Sequence, residues 1–217
     1  MVRLTFWRPN LRHPHRFVTG AGRTGRSGNS PFHHLTISPV HLMLHFAPAT
    51  PADLPALNRL VNRAYRGEAS TQGWTTEAAL LAGQRTDEAD LREQLEKPAA
   101  QFLLARRPPD DELIGSVFLQ HQGPELYLGM LSVEPTLQAG GVGRQLVQAA
   151  ESHARNLGCT AVRMTVISVR HELLAWYERL GYQRTSETVA FPTDTRFGVP
   201  LQAAPLVLMV LRKEMEK

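Results

Sequence analysis

The chain has one cysteine, Cys159, in 217 residues. An internal disulfide is excluded, which fits a reducing compartment, and we expect a cytoplasmic protein. Lying between an expected helix and strand, that thiol is read as buried and inert. No apolar run approaches the ~18 residues of a membrane-spanning helix, so no membrane partner is expected. Acidic residues are missing altogether before Asp53, whereas Arg3, Arg8, Arg12, Arg16, Arg23 and Arg26 all lie in that stretch. Removing those six from the 24 basic residues leaves 18 against 20 acidic ones. The rest of the chain is therefore near neutral, and the pI of about 9.6 is no argument for nucleic-acid binding.

Residues 1–42 also lack apolar periodicity, being rich in Arg, His, Gly and Pro. Such a segment buries too little apolar area to offset its ordering entropy. We read it as a disordered or non-native extension ahead of Met43, with an Arg-rich targeting peptide as the alternative. His13, His15, His33, His34 and His41 are dense, but they lack Cys or acidic partners, so no metal site is expected.

Residues 43–217 are read as one domain. A strand at Leu44–Ala47 leads to Thr50, Pro51 and Asp53, a helix-start signature, and Leu54, Leu57, Val61 and Ala64 follow at helical spacing to about Tyr65. Helical segments are expected at Thr76–Ala82 and at Asp87–Lys97, the latter capped by Thr86. Strands Phe102–Arg106 and Leu113–Gln120 form a hairpin across Pro108 to Asp111, and a third strand spans Leu126–Val133. An amphipathic helix ends at Gly158. Strand Ala161–Ile167, helix Glu172–Leu180 and strands Arg184–Ala190 and Leu206–Leu211 complete the order βααβββαβαββ. That order implies an α/β (mixed α+β) fold: a mostly antiparallel twisted sheet of about seven strands with helices on both faces.

The most informative stretch joins the third strand to its helix: Leu131, Ser132, Val133, then Gln138, Ala139, Gly140, Gly141, Val142, Gly143 and Arg144. Glycine admits close backbone approach, and a helix N-terminus offers unpaired N–H groups and a positive dipole end, a setting for pyrophosphate. A Walker loop would need Gly-Lys-Ser/Thr where Gly143-Arg144-Gln145 stands. A dinucleotide fingerprint would need a small residue at Leu146. Both patterns fail.

Gln138, Gly141 and Gly143 resemble the Gln/Arg-x-x-Gly-x-Gly/Ala loop of GNAT acetyltransferases. About thirty residues on, Leu173 to Tyr182 is similar to that family's late helix. The resemblance covers residues 43 to about 212 and implies an acetyl-CoA co-substrate, no metal, and N-acetylation of a primary amine, with a small molecule as the first reading. The alternatives are a protein N-terminus or lysine as acceptor, and a non-catalytic acyl-CoA-binding module. It implies that Leu131, Ser132 and Val133 meet the pantetheine arm and that Gln138 to Arg144 hold the pyrophosphate. It implies Tyr177 as general acid, protonated at neutral pH. Arg170 stands where many relatives carry an Asn. Tyr65, Arg66 and Trp74 are the expected acceptor-side residues, Arg66 through an acceptor carboxylate, Trp74 lining a pocket or capping the core. No general base is assigned, and a monomer or homodimer is expected.

Overall fold

The computed structural model describes residues 43–216; the readings placed on residues 1–42 lie outside the described residues. Strand β1 (His45–Pro48) is followed by a 3-10 turn (Pro51–Asp53) and helix α1 (Leu54–Tyr65). The start is sealed as expected: the Thr50 backbone N–H and hydroxyl donate to Asp53 Oδ2 at 2.7 and 2.8 Å. A short helix α2 (Gly67–Ser70), strand β2 (Leu81–Ala82) and helix α3 (Glu88–Glu96) come next. Strands β3 (Ala100–Arg107), β4 (Glu112–Gln122) and β5 (Glu125–Val133) form a meander. Then come α4 (Val142–Asn156), β6 (Ala161–Ile167), α5 (His171–Arg179), β7 (Gln183–Ala190), β8 (Val199–Pro200) and β9 (Val207–Glu214).

The main sheet has seven strands in the order β1-β3-β4-β5-β6-β9-β7, all antiparallel except the parallel pair β5–β6. Side-chain alternation along β3 and β4 supplies both faces. Phe102, Leu104 and Phe118 pack under Leu54, Leu57 and Val61 of α1 and Leu91 of α3. Ala105, Val117 and Leu119 pack on the other side with Leu146, Val147 and Ala150 of α4 and Leu174 of α5. Cys159 is buried there, and desolvation pushes its thiol pKa up, as befits an inert thiol.

Two local expectations fail. Thr76–Ala82 is not a helix: it is turn followed by β2, which pairs antiparallel with β8. Its Ala and Leu residues favour helix in isolation, but pairing with Val199–Pro200 overrides that weak preference. The cap of α3 is Asp87, not Thr86; Asp87 Oδ1 accepts from the Asp90 N–H at 2.8 Å, while Thr86 Oγ1 donates to Asp90 Oδ2 at 2.6 Å.

One sheet irregularity sets up the site. Strands β5 and β6 pair only from Glu125↔Ala161 to Leu128↔Met164 and then part. Just past that point, two residues of β5, Met130 and Leu131, lie opposite the single Val117 of β4, and Met130 adopts φ +47°. This bulge bends β5 away from β6. Gly129 is one residue off the bulge; a Cβ there would lie 2.9 Å from the Tyr127 ring, so its side-chain absence is a packing accommodation.

Candidate active site

Helix α4 leaves the C-terminal end of β5 and helix α5 the C-terminal end of β6, so both helix starts face the cleft where the strands part. The turn into α4 is shaped by Ala139 (φ +69°) and Gly141 (φ +86°), the latter a left-handed residue with open space where a Cβ would stand. The first intrahelical bond is that of Gln145 N–H to the Gly141 carbonyl at 3.1 Å. The N–H groups of Val142, Gly143 and Arg144 precede it and sit at the positive dipole end.

In front of this turn lies a cavity of about 740 Å³, walled by Leu131, Val133, Ala139, Gly141, Gly143 and Trp176. Arg144, Arg170 and Arg179 line it against one acid, Glu172. A bare, positively polarised helix start with a surplus of arginine fits the polyphosphate end of acetyl-CoA, and the volume is in the ordinary range for such ligands.

A second cavity of about 390 Å³ opens on the other side of the split. Tyr65, Leu131, Arg170, Leu173 and Tyr177 line both cavities and so mark the junction. Tyr177 is 4% exposed, edge-on to Trp176 at 4.8 Å and to Tyr182 at 5.8 Å. Its hydroxyl makes no hydrogen bond among the described residues. Burial, with Tyr65 adding, pushes its pKa well above the usual phenol value while Arg170 opposes, so it stays protonated across the neutral range.

The remaining expected residues fall as follows. Tyr65 donates its hydroxyl to the Leu131 carbonyl at 3.1 Å, and burial, then Glu77, raises its pKa. Ser132 is buried and donates to the Met130 carbonyl at 3.0 Å, and Val142 is buried in the core. The Gln138 side chain serves the protein: Oε1 accepts from the Trp74 and Thr75 N–H groups at 2.9 and 3.3 Å, and Nε2 donates to the Val133 carbonyl at 3.3 Å. It thereby ties the Trp74 loop to the end of β5 and the turn before α4. Gly140 is exposed on the same turn, and Arg144 is exposed at the cavity edge. Trp74, expected on the acceptor side, lines the larger cavity, 6.1 Å from Trp176, and is not among the residues lining the second.

Arg66 is buried rather than presented on the surface. It donates to Glu77 Oε2 at 3.0 Å, while Arg170 donates to Glu77 Oε1 at 2.7 Å and to the Thr75 carbonyl at 2.5 Å. Burial lowers the Arg66 pKa, with Glu77 opposing. Gly198 packs on this group; a Cβ there would lie 2.4 Å from Arg66 Nη1, so only glycine fits. Arg170 thus locks the 74–77 loop onto α5. Sequence reading missed the cations Arg85 and Lys97 of the second cavity. Their one signal was charge near an expected helix, which is indistinguishable from ordinary surface.

A glycine-shaped turn heads helix α4 in the split of a mixed α/β sheet, beside a second cavity. The chain belongs to the acetyltransferase (GNAT) family, whose model matches residues 60–182. It is 31% identical over 137 residues to a mycothiol acetyltransferase of Cellulomonas flavigena, covering 57% of this chain and 38% of that protein. A mycothiol acetyltransferase of Saccharopolyspora erythraea is 31% identical over 150 residues, covering 69% and 44%. The chain thus spans less than half the length of these curated relatives. Its fold is that of the ribosomal-protein-S18-alanine N-acetyltransferase from Escherichia coli (TM-score 0.60, 16% identity, 81% of this chain and 96% of that one).

Proposed function

We propose that the protein is an acetyl-CoA-dependent N-acetyltransferase acting on a primary amine of a small molecule. The observation that carries this reading is the pair of cavities meeting at Tyr177, the larger one headed by the bare N-terminus of α4. Val142, Gly143 and Arg144 N–H groups would hold the pyrophosphate, with Arg144 and Arg179 adding charge. Acetyl-CoA supplies an activated acyl group: the amine nitrogen bonds to the carbonyl carbon as the carbon–sulfur bond breaks, one proton leaving nitrogen and one reaching sulfur. The Tyr177 hydroxyl, protonated and at the junction, is the group that donates toward the departing sulfur. The modest volume of the second cavity favours a compact acceptor over a polypeptide.

Calorimetric titration of acetyl-CoA into the full chain tests the donor half. Gly141→Glu sets a charged side chain before the helix start, while Gly141→Ala carries the same backbone strain without the charge. Binding by the parent and by Gly141→Ala, lost in Gly141→Glu, is the expected result. No binding by a folded parent sinks the proposal.

A further inference from the structure

The second cavity has a charge of its own. Arg66, Arg85, Lys97 and Arg170 line it, and Glu77 is the one carboxylate among the described lining residues. Glu77 divides its oxygens between Arg66 and Arg170, at 3.0 and 2.7 Å, so its charge is offset where it stands. Four cations against one anion leave the lining three charges positive.

Two of these cations, Arg85 and Arg170, stand close to the junction. The Arg85 guanidinium lies 5.4 Å and that of Arg170 5.9 Å from the ring centroid of Tyr65, whose hydroxyl bonds the Leu131 carbonyl. The Arg85 backbone N–H is pinned on Asn62 Oδ1 at 2.7 Å, and Lys97 Nζ donates to Gln94 Oε1 at 2.8 Å. Phe118, Met130, Met164 and Phe191 supply an apolar frame. A dication entering this space would meet charge of its own sign in a medium that screens poorly. The same field disfavours an ammonium, so an amine beside it is held neutral without a dedicated base.

We infer that the acceptor is an amino-carboxylate on a compact apolar frame, its carboxylate held by Arg85 and Lys97. This rests on the acetyl-transfer reading and adds the acceptor's class to it.

The test compares three acceptors sharing one frame: an amino acid, its amide, and the diamine in which an ammonium replaces the carboxylate. With acetyl-CoA, kcat/KM for the amino acid exceeds that for the amide by roughly 10- to 100-fold, the equivalent of one charge-assisted hydrogen bond, and the diamine is poorest. Arg85→Gln shrinks the amino acid-to-amide ratio about 10-fold, chiefly through KM. Lys97→Gln shrinks it in the same direction and serves if Arg85→Gln does not fold. Titration of amino acid and amide into the CoA-loaded full chain reads the preference without turnover. An amide or diamine used as well as the amino acid overturns the inference while acetyl transfer stands. Arg85-dependent carboxylate binding with no amine acetylated overturns acetyl transfer and leaves the pocket assignment standing. Neither turnover nor carboxylate binding overturns both.

Discussion

Replacing Glu77 with alanine removes the one carboxylate shared by two buried guanidinium groups. The side chains of Glu77, Arg66 and Arg170 are 6%, 5% and 10% exposed, so neither arginine regains full hydration when its partner goes. Breaking a buried pair on one side costs about 3–5 kcal/mol, because a charge is left behind in a poor solvent. For a protein of this size each kcal/mol moves Tm by about 2–4 °C, so the variant should melt roughly 6–20 °C below the parent. Glu178→Ala is the internal control: its partner Arg184 is also an arginine, but both side chains are 42% exposed and the expected loss is about 0–1 kcal/mol. Thermal and urea melts of the two variants beside the parent make the measurement. If Glu77→Ala melts within about 2 °C of Glu178→Ala, the arginines rehydrate in place, and the claim that they lock the 74–77 loop onto α5 is wrong.

Tyr177→Phe removes only the junction hydroxyl, so kcat should fall about 10²–10⁴-fold while calorimetric acetyl-CoA affinity stays within a few fold; an unchanged kcat removes Tyr177 from the mechanism. Gln138→Ala deletes the acceptor for two backbone N–H groups of the Trp74 loop, which should weaken acetyl-CoA binding about 10-fold and shift Trp74 emission toward that of solvated indole. Burial raises the phenols of Tyr65, Tyr177 and Tyr182, the last with Glu151 adding. Their folded pKa values exceed the unfolded value of about 10, so the stability they contribute is intact below that pH and is lost as pH rises above it. Ultraviolet titration should show these three ionising together with alkaline unfolding; independent titration of all tyrosines near pH ~10 in a folded protein would contradict their burial.

Much of the fold was legible because its signals are local. Thr50 and Asp53 close a capping box between neighbours, Gly158 and Gly181 stop helices where their left-handed φ is needed, and Pro108 to Asp111 turn a hairpin. The Gly141 turn was legible for the same reason. Residues 76–82 were misread because their partner, Val199–Pro200, lies more than a hundred residues away, and periodicity carries no trace of it. The roles of Arg66 and Arg170 were hidden because Glu77, 11 residues from one and 93 from the other, lies in a segment misread as helix. Arg66, expected to meet an acceptor carboxylate, and Arg170 instead both donate to Glu77, which folding brings between them. Gln138 matched its motif, yet its amide serves the Trp74 loop, a contact spanning 64 residues that spacing within the motif does not encode.

The parting of β5 from β6 has a consequence for how such a site diversifies. Two continuous stretches, residues 131–144 and 170–179, supply most of the larger cavity's wall, so that wall is set by two local segments. The second cavity is assembled from scattered stretches on both sides of the split, including Arg85, Lys97, Tyr127, Met164 and Phe191. Substitutions at those positions, which lie outside the shared junction, alter the second cavity without touching the lining of the first. A lineage built on this sheet can therefore hold one wall fixed and reshape the other one residue at a time.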